Sequence, residues 1–155
     1  MDSQLMSSPL GNILIKASAK GVTSVELLKS GQEKNKSLAS SNPHLELASL
    51  QLKQYFEGQR KKIDVPLDLD GTEFQKKVWK QLTKIPFGRT QSYSEIALKV
   101  GRPKACRAVG GANHVNPIAI IVPCHRVIGH SGDLTGYASG LKHKKFLLKL
   151  EGALS

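Results

Sequence analysis

The apolar positions change their period along the chain. Asn12, Ile13, Leu14 and Ile15 alternate, Lys20 and Gly21 suit a turn, and Val22 to Leu28 is again strand-like, so residues 9–28 predict a β-hairpin. A polar loop rich in Ser and Lys is expected from Ser30 to Ser41. Asn42 and Pro43 then suit a helix start, and Leu45, Ala48, Leu52, Tyr55 and Phe56 recur at helical intervals before Gly58. Beyond it, Ile63, Val65, Leu67 and Leu69 alternate with Asp64, Pro66, Asp68 and Asp70. That pattern predicts a strand, which Pro66 confines to a sheet edge.

After Gly71 the period becomes helical, which divides the chain into an α+β unit over 1–70 and a second unit over 71–155. Thr72 and Gln75 predict a capping box, followed by the stripe Phe74, Val78, Leu82 and Ile85, with Trp79 read as core. Ser92 and Glu95 predict a second box, ahead of Tyr93, Ile96, Ala97 and Val100, with Gly101 ending that helix. Pro103 is expected to open a third helix, with Ala105, Ala108, Val109 and Ala112 facing the core and Lys104, Arg107, Gly111 and His114 facing outward. Such a helix pair has the shape of a helix-turn-helix, although an ordinary basic surface helix gives the same pattern. Gly110 and Gly111 each cost a helix about 1 kcal/mol relative to Ala, so something is expected to approach that backbone closely. Further on, Ile118 to Val122 is an apolar run between Pro117 and Pro123, and it predicts a buried strand leading to Cys124.

Charge adds a partner to this outline. With 155 residues the chain can form one or two compact units, and a formal net charge of +11 favours a polyanion, because clustered Lys and Arg release counterions from phosphates. From Ile96 onward the only acids are Asp133 and Glu151, set against Lys99, Arg102, Lys104, Arg107, Arg126, Lys142, Lys144, Lys145 and Lys149. The C-terminal part is therefore expected to carry the anion-binding surface. No apolar stretch approaches the roughly 20 residues of a membrane span, and Met1 to Leu10 lacks a signal-peptide layout. A soluble, intracellular protein is expected, with Cys106 and Cys124 both reduced and no four-ligand zinc pattern.

Cys124 is followed at once by His125 and Arg126. A thiol attacks as thiolate, and a neighbouring imidazole or guanidinium lowers its pKa from about 8.5. Alone, the pair is weak evidence for catalysis, since a buried Cys is commonly just a small hydrophobe. Glu151, in the last turn of a helix, opposes the macrodipole and calls for a compensating partner, unless it is a solvated terminal charge.

The string RPKACRAVGGANHVNPIAIIVPCHRVIG, from Arg102, resembles the signature of the O6-alkylguanine-DNA alkyltransferases. The likeness runs from about Glu73 to Gly152, through FQKKVWKQLTKIPFGRTQSYSEIA, PCHRV, GYASG and the closing LEG; the N-terminal part is similar only in general layout. The resemblance implies an α+β fold: a small N-terminal β-sheet and helix unit, then a mostly helical domain with a winged helix-turn-helix-like motif. It further implies repair of O6-alkylguanine, and of O4-alkylthymine, by irreversible transfer of the alkyl group to Cys124 after the nucleotide is flipped out. His125 would accept the thiol proton through a water, Glu151 would orient the imidazole, Tyr93 would meet the leaving purine, and Asn116 would brace the active-site turn.

Arg107 would be the finger that fills the gap in the duplex, with Ser94, Arg102, Lys104, Gly110 and Gly111 along the DNA and the helix in the minor groove. Val127 would offer its carbonyl to the base. Tyr137, Ala138 and Ser139 belong to the lid over the alkyl pocket, where the small Ala138 and Ser139 suggest room for groups larger than methyl. The resemblance implies no metal and no organic cofactor, a monomer acting on double-stranded DNA, no membrane, and a cytoplasmic, nucleoid-associated or nuclear setting. Against a lesion-binding relative that lacks the nucleophile stands Cys124 itself. Against a cysteine hydrolase stands the helix-turn-helix, which such an enzyme does not need. A regulatory role would need a further sensor domain, for which the sequence gives no sign.

Overall fold

The computed structural model describes residues 2–29 and 42–154. The chain divides into one unit of residues 1–70 with 117–119, and another of residues 71–116 with 120–155. The polar loop expected from Ser30 to Ser41 lies outside the described residues.

In the first unit, β1 (Asp2–Ser8), β2 (Gly11–Ala17) and β3 (Val22–Leu27) form an antiparallel sheet in that order. The predicted hairpin is β2 and β3. β1 carries no alternating apolar signal and joins as an edge strand by main-chain pairing, after a tight turn in which Ser8 Oγ accepts from Leu10 N and donates to Gly11 O. Ile13, Ile15 and Ala17 are fully buried on β2. Against this sheet packs α1 (Pro43–Phe56), whose buried stripe is Leu45, Ala48, Leu52 and Tyr55. Asn42 caps it by accepting from His44 N at 2.9 Å, with Pro43 in the first turn as expected.

The strand expected over Ile63 to Leu69 shrinks to a single bridge between Val22 and Leu67. Gln51 takes both main-chain groups of Asp64, at 2.7 and 3.2 Å, so they are lost to a ladder, and Pro66 has no N–H to give. A second single bridge joins Val25 to Ile118. The strand expected over Ile118 to Val122 does not form either, because Ile120 adopts φ 70° and turns the chain. The run is apolar because it is buried, with Ile118 and Val122 fully enclosed, and not because it pairs.

In the second unit, α2 (Glu73–Leu82) and α3 (Tyr93–Lys99) both begin at the capping boxes read from the sequence. α4 (Cys106–His114) starts later than expected. Pro103 sits in a turn closed by Ala105 N–H to Arg102 O, a position its fixed φ suits, and the helix begins only after that turn. With this phase Val109, Ala112 and Asn113 are buried, while Ala108, expected inside, is exposed. Trp79 is core, and its indole N–H donates to Ala112 O at 2.9 Å, tying α2 to α4. A 3₁₀ turn (Cys124–Arg126), the strand pair β4 (Gln91–Ser92) and β5 (Val127–Ile128), and α5 (Leu141–Leu150) complete the unit. β4 and β5 run parallel, pairing Ser92 with Ile128. That pairing sets the residue before Tyr93 beside the segment that leaves Cys124.

Candidate active site

Pro123, at φ −81° and ψ 67°, forms an inverse γ-turn closed by Cys124 N–H to Val122 O at 2.8 Å, and this bend delivers Cys124 to the start of the 3₁₀ turn. Two asparagines hold the bend by its carbonyls. Asn116 Nδ2 donates to Val122 O at 2.8 Å, and Asn113 Nδ2 donates to Cys124 O at 3.2 Å. The Cys124 side chain is buried, and hydrogen-bonding groups of Asn116 and Tyr137 near its sulfur act to lower the thiol pKa. Burial pushes the thiol pKa up, against those hydrogen bonds and the nearby Lys144 charge, so the resting group is a neutral thiol.

His125 is fully buried, and its Nε2 lies 2.8 Å from Glu151 Oε2. Since the carboxylate accepts, Nε2 carries the hydrogen and Nδ1 keeps its lone pair; Nδ1 is buried without a hydrogen-bond partner. Burial holds the imidazole below its ordinary pKa, more strongly than Glu151 raises it. The result is a neutral base. Glu151 caps the end of α5 and is buried, so it is not a solvated charge.

Arg126 does not serve the thiol, as its place in the sequence suggested. It grips Glu151 through Nε and Nη2, donates from Nη1 to Ile85 O at 2.6 Å, and lies 6.0 Å from the Phe87 ring.

Lys144, read from sequence as part of the anion-binding surface, is fully buried. Its Nζ donates to Val127 O at 2.6 Å and to Thr135 O at 3.0 Å, and burial pushes its pKa down to about 8. The Val127 carbonyl expected to meet a base therefore already accepts from Lys144, which leaves one of its lone pairs. A buried lysine in a helix of mostly solvated lysines has no local signal. Asn113 does carry a signal in the sequence, since its spacing from Val109 and Ala112 marks it as inward-facing.

A cavity of about 160 Å³ lies among Tyr93, Gly110, Asn113, Gly136, Tyr137 and Ala138. Tyr93 Oη accepts from Thr135 Oγ1 at 2.7 Å, which leaves the phenol hydrogen free to point elsewhere. Ser139 pairs with His143 Nδ1 at 3.0 Å. Arg102, Lys104 and Arg107 are exposed, as is Ser94, whose Oγ is 3.4 Å from Cys106 Sγ; the Arg102 guanidinium lies 5.5 Å from the Phe74 ring. A Cβ at Gly111 would meet nothing within 4 Å, and one at Gly110 only Tyr93 Cε1 at 4.0 Å. Packing within the chain does not require either glycine. A larger hollow of about 580 Å³, lined by β1 and α1 residues such as Met6, Leu50 and Phe56, has no Cys or His in its wall. Among the described residues no His, Cys, Asp and Glu group could hold a metal, and no helix is long and apolar enough to cross a membrane.

Residues 73–153 match the family described as 6-O-methylguanine DNA methyltransferase, DNA binding domain, and residues 1–69 match its ribonuclease-like domain. The chain belongs to the 6-O-methylguanine DNA methyltransferase family. It is 53% identical over 152 residues to the methylated-DNA–protein-cysteine methyltransferase of Methanosarcina acetivorans, covering 96% of this chain and 97% of that protein. The enzyme of the same name from Mycobacterium tuberculosis is 47% identical over 147 residues, 94% of this chain and 89% of the other. The crystal structure of M. tuberculosis OGT in complex with DNA superposes with a TM-score of 0.89 at 44% identity, covering 99% of this chain and 94% of that one. The α+β architecture, with an N-terminal antiparallel sheet and a mostly helical C-terminal part, is the one those relatives share.

Proposed function

We propose that this protein repairs DNA by moving the alkyl group of an O6-alkylguanine onto Cys124, once per chain. The observation that carries the reading is the relay behind the sulfur: a neutral His125, its Nε2–H held by buried Glu151 and its Nδ1 lone pair unused. His125 takes the thiol proton through a water. The sulfur then attacks the alkyl carbon as the carbon–O6 bond breaks, and the bonding electrons pass to the purine. Tyr93, with its hydrogen free, is the donor that meets the charge growing on the leaving base. The product thioether offers no acyl bond to hydrolyse, so the reaction stops after one equivalent.

The partner is DNA. We assign its contact to residues 71–155, with α4 in the minor groove of a duplex bound by a monomer, and Arg107 filling the space of the flipped nucleotide. The small outward face of Ala108 and Gly111 supports that close approach, as does the exposed cluster of Arg102, Lys104, Arg107 and Ser94. Ala138 and Ser139 leave room for alkyl groups larger than methyl. No cofactor enters the reaction, and the setting is the cytoplasm or the nucleus.

The test is to mix the protein with an oligonucleotide bearing O6-methylguanine and weigh the peptide that contains residue 124. One added methyl per chain on Cys124 is expected, and none on a Cys124→Ser protein that still binds the duplex. Methyl found elsewhere, or release of product beyond one equivalent, overturns the reading.

A further inference from the structure

Asn113 has half of its hydrogen bonding complete. Its Nδ2 donates to Cys124 O, while its Oδ1 is buried with no hydrogen-bond partner. The orientation of the amide is fixed by the first contact: the Cys124 carbonyl only accepts, so exchanging the amide O and N would set two acceptors face to face. A buried acceptor without a donor loses the hydrogen bond that water would give it, and such groups are rare in folded proteins. Asn113 lines the cavity that also contains Tyr93 and Tyr137. Tyr93, in the same wall, accepts from Thr135.

An alkylated base has a particular deficit of donors. Once O6 carries an alkyl group, N1, N3 and N7 of the purine are all acceptors, and in DNA the exocyclic 2-amine is the base's one source of N–H. An O4-alkylated thymine has no N–H at all. We propose that Asn113 is a specificity residue whose Oδ1 accepts a hydrogen bond from the 2-amine of the extruded purine, and that it thereby favours guanine lesions over thymine lesions. The inference rests on the reading that this cavity receives the base. Asn113 belongs to α4, the helix assigned to the duplex, and also holds the carbonyl of the nucleophile. The residue that recognises the amine is thus bonded to the turn that presents the sulfur.

The experiment compares two free bases that differ only in the amine, O6-benzylguanine and 6-benzyloxypurine, by their single-turnover rates with the intact protein. The wild type is expected to prefer the amine-bearing base by about tenfold or more, the ratio a hydrogen bond to an otherwise unpaired acceptor gives. In Asn113→Leu and Asn113→Ser both rates fall through loss of the bond to Cys124 O, and the preference for the amine-bearing base shrinks severalfold, with the Val127 carbonyl keeping the remainder. A role confined to bracing the turn lowers both rates and leaves the ratio unchanged, which overturns the proposal. A wild type indifferent to the amine overturns it whether or not the variants fold. Mass analysis of Cys124 after exposure to methylated duplex separates the two levels: an unmodified sulfur sinks the transfer reading itself, whereas a methylated sulfur with an insensitive ratio sinks only the role of Asn113.

Discussion

Arg126 holds Glu151 by two parallel hydrogen bonds, Nε to Oε1 at 2.8 Å and Nη2 to Oε2 at 2.9 Å, with both side chains buried. Glu151 in turn shares Oε2 with His125. One guanidinium therefore fixes the carboxylate that fixes the imidazole. Breaking a buried pair leaves a charge without compensation, so Arg126→Met is expected to lose about 3–5 kcal/mol of stability. Chemical denaturation at neutral pH measures it, and a loss below about 1 kcal/mol would show that water reaches Glu151 in place of the guanidinium.

Glu151→Gln keeps the shape of the side chain and removes its charge. The Nε2–H tautomer of His125 then has at most a neutral amide oxygen, contested by Arg126, as its anchor, and the imidazolium formed during transfer loses its counter-charge. Transfer is expected to slow by about 10²–10⁴-fold, with duplex affinity retained. Single-turnover rates alongside a binding titration check both halves.

His125 is neutral in the folded protein because burial lowers its pKa below the ordinary 6.5. The unfolded chain binds the proton first as pH falls. Stability is therefore full above about pH 6.5 and declines as pH drops from there toward the folded pKa. Thermal melts across that window should show the acid slope in the wild type and a shallower one in His125→Gln. Equal slopes would assign the acid sensitivity to other groups.

Lys144, with its pKa pushed down to about 8 by burial, carries its charge at neutral pH and loses it under mildly alkaline conditions. The groups it faces are the Cys124 thiol, the His125 ring and the carbonyls of Val127 and Thr135. A positive charge there favours the anion forming on sulfur, so that help is present below about pH 8 and fades above it. Lys144→Arg, which does not deprotonate in this range, should gain on the wild type as pH rises past 8 when both react with a free alkylated base. A constant ratio of the two rates contradicts this.

Arg107→Ala touches neither the relay nor the cavity. It is expected to impair repair of an O6-alkylated duplex by at least tenfold while changing reaction with the free base little, because only the duplex pays for extrusion. Equal losses on both substrates would remove the finger role.

Much of the local structure was legible because its causes are local. The capping boxes at Thr72 and Ser92, the Asn42–Pro43 start of α1 and the β2–β3 hairpin follow from side chains a few residues apart. Ile118 to Val122 misled because burial and strand pairing give the same apolar string, and only a left-handed Ile120 separates them. Ile63 to Leu69 misled because a distant Gln51 claims its main chain. At the site, Cys124, His125 and Glu151 could be named from the family resemblance. The partners reached across the fold could not: Arg126 with Glu151, Lys144 with two carbonyls, and Asn113 with Cys124 are contacts whose energy depends on burial, which no sequence window reports.

Trp79 is the single tryptophan of the sequence, and it is bonded to Ala112 in the middle of the contact between α2 and α4. Its emission is thus an intrinsic optical gauge of the unit that holds Cys124. Any shift of α4 on engaging a duplex, or on thioether formation, should register as a change in indole fluorescence with no label attached.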